Sequence, residues 1–141
     1  MDDPLAGLVP ITQENVGDAI ELIYAPWIKQ MGLTDCVVRE GFCSFRLPQD
    51  PNLQFFTGSL CGQALMAAID TAASIAAATG RNRSKGTVYQ HTHFIRPAAD
   101  QDVLIEATVR RFGKASAYID CSVMLADSGE LCTHAVLEFA Y

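Results

Sequence analysis

From Leu60 to Ala78 the chain reads as one long helix, rich in alanine and almost free of charge. Between Asp50 and Arg81 the only Asp, Glu, Lys or Arg is Asp70. A helix that is apolar around most of its circumference must be covered on most sides, so other elements have to wrap it. Asp70 is the anomaly within it. An ionised carboxylate in apolar surroundings costs several kcal/mol unless it is paired, hydrogen-bonded or neutralised. A helix that carries one has either a structural partner for it, such as Thr71, Ser74 or a hydroxyl on a strand, or a use for it.

The rest of the chain supplies the wrapping. Residues 1–12 hold two prolines and little pattern and are expected to be a flexible arm. Val16, Ala19, Ile20, Ile23, Tyr24 and Trp27 follow helical spacing across residues 13–30, with Pro26 bending or ending the run and Trp27 expected in the core. Asp35–Leu47 alternates and is rich in β-branched and aromatic residues, which predicts one strand. After a Pro48–Asn52 loop comes the long helix, expected at about 60–79 and closed by Gly80. Four strands follow: Thr87–Arg96, Val103–Phe112, Ser116–Ala126 and Leu131–Tyr141. Their short connections make successive strands antiparallel neighbours. The expected fold is α+β: an antiparallel sheet of five to six strands wrapped around one central helix, with an extra N-terminal helix. Residues 13–141 are expected to form a single domain.

Composition narrows the function classes. Half of the 141 residues are hydrophobic, and excess apolar surface on a small domain predicts a homo-oligomer. No run reaches 18 consecutive apolar residues, and the acidic start Met1-Asp2-Asp3-Pro4 lacks the pattern of a signal peptide, so no membrane partner and a cytoplasmic location are expected. Five cysteines, odd in number and without a CxxC, fit reduced thiols better than disulfides or a zinc site. The net charge of −6 argues against nucleic acid as a partner. Residues 81–114 nevertheless carry +4 against −10 elsewhere. Such a segment is either a set of solvated strand ends or a receiver for a phosphorylated ligand.

Two stretches carry a resemblance: Gly58–Ala72 around the helix start, and Thr87–Ala98 with its Phe94-Ile95-Arg96-Pro97-Ala98 ending. With the later Gly113-Lys114 turn, they resemble the hotdog-fold acyl-CoA thioesterases, PaaI-like branch, over roughly residues 35–141. The resemblance implies hydrolysis of an acyl-CoA or aryl-CoA thioester without cofactor or metal. It makes Gly62, at the helix N-terminus, the backbone N–H donor to the thioester carbonyl. It makes Asp70, eight residues on, the general base or nucleophile, and Thr87 the hydroxyl that holds the water or the acid. Elementary chemistry agrees: a helix N-terminus presents unpaired N–H groups and a partial positive charge that stabilise a developing oxyanion. Eight residues span about 12 Å of helix, so Asp70 cannot reach that carbonyl within one chain. The family arrangement joins Gly62 of one subunit to Asp70 of another, which requires a dimer and implies a tetramer of two dimers.

Two positions depart from the family pattern: Cys61 stands where histidine is common, and Phe55 where an Asn or Gln orients the water or thioester. Asn52, Gln54 and Gln63 are nearby amides. Candidate substrate contacts are Cys61, Gln63, Asn52, Phe55 and Thr71, with Arg96, Arg111 and Lys114 for the phosphates of coenzyme A. Cys61 as a nucleophile lacks a histidine base at a recognisable spacing, and His91 and His93 share a strand face without a third metal ligand. The competing function is a hotdog protein that binds acyl-CoA, or serves as an oligomeric scaffold, without efficient chemistry. A dehydratase, which needs an acid–histidine pair near the helix, ranks last.

Overall fold

The computed structural model describes residues 3–80 and 82–141. Helix α1 (Val16–Ile23) and the single turn α2 (Pro26–Lys29) divide at Pro26, which opens the second helix at a position where its missing N–H is harmless. Strands β1 (Thr34–Arg39) and β2 (Phe42–Leu47) follow, then a 3-10 turn at Pro51–Leu53 and the central helix α3 (Gly62–Ala77). The remaining strands are β3 (Gly86–Phe94), β4 (Val103–Phe112), β5 (Ser116–Leu125) and β6 (Leu131–Ala140). All pair antiparallel in one six-stranded sheet of order β1-β2-β4-β5-β6-β3, and α3 packs across it.

The core lies between α3 and the inner sheet face. Strand alternation sends Cys43, Phe45 and Leu47 of β2, Val103, Ile105 and Ala107 of β4, and Leu137 and Phe139 of β6 onto the helix. Helix α3 answers with Leu65, Ile69 and Ile75 among alanines, whose small side chains let the backbone approach the sheet closely. One stripe of α3 escapes full burial: Gln63, Met66, Ala67, Asp70 and Ser74, at three- and four-residue spacing. The lone carboxylate sits on that stripe, which is why an otherwise buried helix tolerates it.

Three expectations need correction. The Asp35–Leu47 strand is a hairpin: Arg39 pairs with Phe42 across Glu40-Gly41, and Gly41 takes φ +74°, a conformation glycine adopts without strain. Strands β3 and β4 are not neighbours, because the connection of residues 95–102 exceeds hairpin length. It crosses beneath the start of α3, where the Leu60 N–H and Gln49 Nε2 donate to the Ala98 carbonyl, and β3 pairs with β6 instead. Trp27 is 59% exposed rather than buried, because α1 and α2 lie on the outside of α3 and bury only the Val16/Ala19 side of α1. At the N-terminal end, Ile11 is buried and its N–H donates to the Ala78 carbonyl at the foot of α3.

Candidate active site

Asp70 projects from the half-buried stripe of α3 toward the beginning of β3, where Thr87 Oγ1 donates to its Oδ1 at 2.5 Å. One turn along the helix, the Ser74 hydroxyl donates to the Thr71 carbonyl and meets the Tyr24 hydroxyl. Burial raises the Tyr24 phenol far above its ordinary value, so it stays neutral. Asp70, Thr87, Tyr24 and Ser74 border a cavity of about 310 Å³, with Arg83 and Lys85 at its rim.

Gly62 opens α3. Its predecessor Cys61 is extended (φ −69°, ψ 152°) and caps the helix with no side-chain hydrogen bond, so no side chain occupies the first-turn donors from the cap position. Beside Gly62 runs a separate open groove of about 370 Å³, walled by Phe55, Leu60, Leu65, Phe94, Ile95 and Pro97. A Cβ on Gly62 would lie 3.1 Å from Cζ of Phe94, so glycine is what lets this ring pack against the helix start. The groove and the Asp70 cavity share no lining residue. Within one chain the two chemical groups are apart.

The remaining candidates scatter. Phe55 and Arg96 line the Gly62 groove, but the Arg96 guanidinium is committed to Glu130 and the Leu131 carbonyl. Cys61 is half-buried and its N–H donates to the Leu53 carbonyl. Gln63 is exposed on the helix stripe, and Asn52 is exposed on the 3-10 turn. Gln54 donates to Gln49. Thr71 is buried on another side of α3, with its hydroxyl on the Ala67 carbonyl. Arg111 and Lys114 are exposed at the β4–β5 end and line neither cleft. His91 and His93 meet through their Nε2 atoms at 2.9 Å on the outer sheet face, opposite His134. Among the described residues no three His, Cys, Asp or Glu side chains are grouped to hold a metal. In the sequence Tyr24 reads only as part of the first helix's apolar spacing, and Arg83 and Lys85 only as part of the basic stretch of residues 81–114; their meeting around Asp70 and Ser74 depends on contacts far apart in the chain.

No curated protein matches the chain. Among solved structures it is similar to a conserved protein of Pseudomonas aeruginosa, at 26% identity over 86% of this chain and 98% of that one, with a TM-score of 0.77. A thioesterase family protein of Silicibacter pomeroyi aligns at 18% identity over 90% and 95% of the two chains, with a TM-score of 0.81. The PaaI protein of the Escherichia coli phenylacetic acid degradation operon aligns at 20% identity over 90% of each, with a TM-score of 0.78. The sequence model of the Thioesterase superfamily matches residues 57–132, which run from the loop before α3 into β6. With more than half of its length matched, the chain belongs to the thioesterase superfamily, hotdog-fold proteins whose common chemistry is thioester hydrolysis.

Proposed function

We propose that the protein hydrolyses an acyl-CoA thioester at a site completed by two copies of the chain. The observation that carries this reading is the position of β3. It ends the sheet, paired with β6 on one side only, and exposes Val88, Tyr89 and Phe94. An apolar strand edge with unpaired backbone groups is a template for another strand. Thr87 and Phe94 stand at opposite ends of β3, about 23 Å apart at roughly 3.3 Å per residue. Antiparallel pairing of two such edges brings the Thr87 end of one beside the Phe94 end of the other. Asp70 then approaches the partner's Gly62, where the partner's Phe94 lies.

The chemistry follows from that meeting. The thioester carbonyl oxygen accepts from the partner's Gly62 N–H, with the helix dipole behind it. Thr87 holds Asp70 Oδ1, which leaves Oδ2 to take a proton from water as the water oxygen attacks the carbonyl carbon. The tetrahedral oxyanion collapses, the C–S bond breaks, and the CoA thiolate leaves and recovers the proton. Direct attack by Oδ2 reaches the same products through a mixed anhydride. Label in Asp70 after a single turnover in 18O water identifies the anhydride route, since the general-base route puts label only in the product acid.

Release of free thiol from an acyl-CoA panel tests the activity. Asp70→Asn is expected to lower kcat by at least ~100-fold, the scale of a lost general base. Mixing inactive Asp70→Asn and Gly62→Pro subunits tests the shared site. Random reassortment makes half of the dimers hybrid with one complete site each, so about a quarter of wild-type activity returns. No recovery from subunits shown to exchange rejects the composite site. A chain that binds acyl-CoA but never releases thiol is the binding protein instead.

A further inference from the structure

The cavity beside Asp70 does not stop at the carboxylate. Asp70, Ser74 and Ala78 follow one another by four residues, so the cavity runs along α3 away from Gly62 toward the helix C-terminus. Apart from the loop of residues 83–87, its other walls are Leu5, Val9, Ile11, Ile23, Tyr24 and Phe139, apolar except for the phenol tip. That tip faces Ser74 and is already hydrogen-bonded there. The N-terminal segment is fixed over the cavity at two points. The Ile11 N–H donates to the Ala78 carbonyl, and Asp3 pairs with Arg83 at 2.8 Å. The charged groups Arg83 and Lys85 line the cavity together with Asp70, at the loop that leads into β3.

We propose that this chamber, walled on one side by the N-terminal segment, receives the acyl group and sets the substrate class: an apolar acyl group of medium length, or an aryl acyl group of like size. The inference rests on the reading of Asp70 as the catalytic group. A thioester whose carbonyl sits between Asp70 and the partner's Gly62 has two ends to place. The coenzyme end carries amides and phosphates that need water or cations. The acyl end carries neither, and an aliphatic chamber beginning at Asp70 suits it. At roughly 30 Å³ for each water-sized group, the 310 Å³ volume holds about ten non-hydrogen atoms. An octanoyl or phenylacetyl group fits within that, and a palmitoyl group would extend beyond it.

Val9, half-buried in the wall, is the position to test. Val9→Phe narrows the chamber, and the kcat/KM ratio of octanoyl-CoA to butyryl-CoA is expected to fall at least ~10-fold, in the range for single methylene discrimination in apolar pockets. Val9→Ala widens it and moves the optimum to a longer chain. Ile23→Phe repeats the narrowing from α1 should Val9→Phe fold poorly. Wild-type ratios in well-folded Val9 and Ile23 variants, or a wild-type preference for succinyl-CoA, overturn the chamber. Calorimetric binding of S-octyl-CoA and S-butyl-CoA, thioethers that cannot be hydrolysed, separates this inference from the catalytic one. If no acyl-CoA is turned over but thioether affinity still follows chain length and the Val9 substitutions, the chamber stands and the hydrolysis reading fails.

Discussion

Gly62 does two things at once: it presents an N–H at the start of α3, and it makes room for the Phe94 ring. Two substitutions separate them. Gly62→Ala keeps the N–H and adds a Cβ that Phe94 must yield to by a few tenths of an ångström. Gly62→Pro also removes the N–H, at the first helical position, where proline is well accepted. Cys61, at ψ 152°, already has the backbone that precedes proline. Steady-state assays of the two purified variants are expected to show kcat lower by a further ~10²–10³-fold in the proline variant, the loss typical of a missing oxyanion donor. At this scale the chain was only partly legible. The lone charge of Asp70 stood out in the sequence, and the resemblance supplied Thr87, 17 residues away, as its companion. Adjacency misled in the case of Thr71. Neighbouring residues on a helix point about 100° apart, so Thr71 turns into the core while Asp70 turns to the cavity.

Elements were read more reliably than their partnerships. Helix α3 and strands β4, β5 and β6 fall within two residues of their expected bounds, because long periodic runs and Gly-containing turns are local signals. The β1–β2 hairpin was hidden because its turn is only Glu40-Gly41, and the one sign of it is a phase shift: Val38 and Cys43, five residues apart, are both buried, where a single strand would send them to opposite faces. The placement of β3 beside β6 is a long-range pairing that its flanking turns do not encode. Edge position is what gives β3 its proposed role, so a test belongs here. Tyr89→Lys with His91→Lys adds like charges on one face in the middle of the strand, where two antiparallel copies would oppose them. The double variant is expected to sediment as a monomer and to release no thiol, with its far-UV circular dichroism unchanged. A stable dimer in sedimentation would remove β3 from the interface.

For the molecule as a whole, the crossing between β3 and β4 is pinned by Asp102. Its carboxylate accepts from the Gln49 N–H and from Arg46 Nε, each at 2.9 Å, tying the end of β2 to the start of β4. The Gln49 backbone hydrogen bond, aided by Arg46 and opposed by partial burial, holds its carboxyl below the ordinary 3.8. A carboxyl lowered in the folded state contributes stability above its unfolded value and loses it as pH falls through the folded one. Thermal melts of wild type and Asp102→Ala should therefore differ by a constant amount near neutrality, and the difference should shrink below about pH 4. A gap that persists in strong acid would assign the loss to packing rather than to charge. The sequence by itself determined the class of fold and the anomaly within it. An alanine-rich helix with one charge has to be wrapped by a sheet, and that follows from hydrophobic periodicity, which is local. Tertiary structure alone decided that β3 lies on an open edge, that Gly62 and Asp70 face separate clefts, and that the N-terminal segment roofs the second of them. Those facts depend on contacts between residues far apart in the chain, whose geometry is fixed only when the whole core packs.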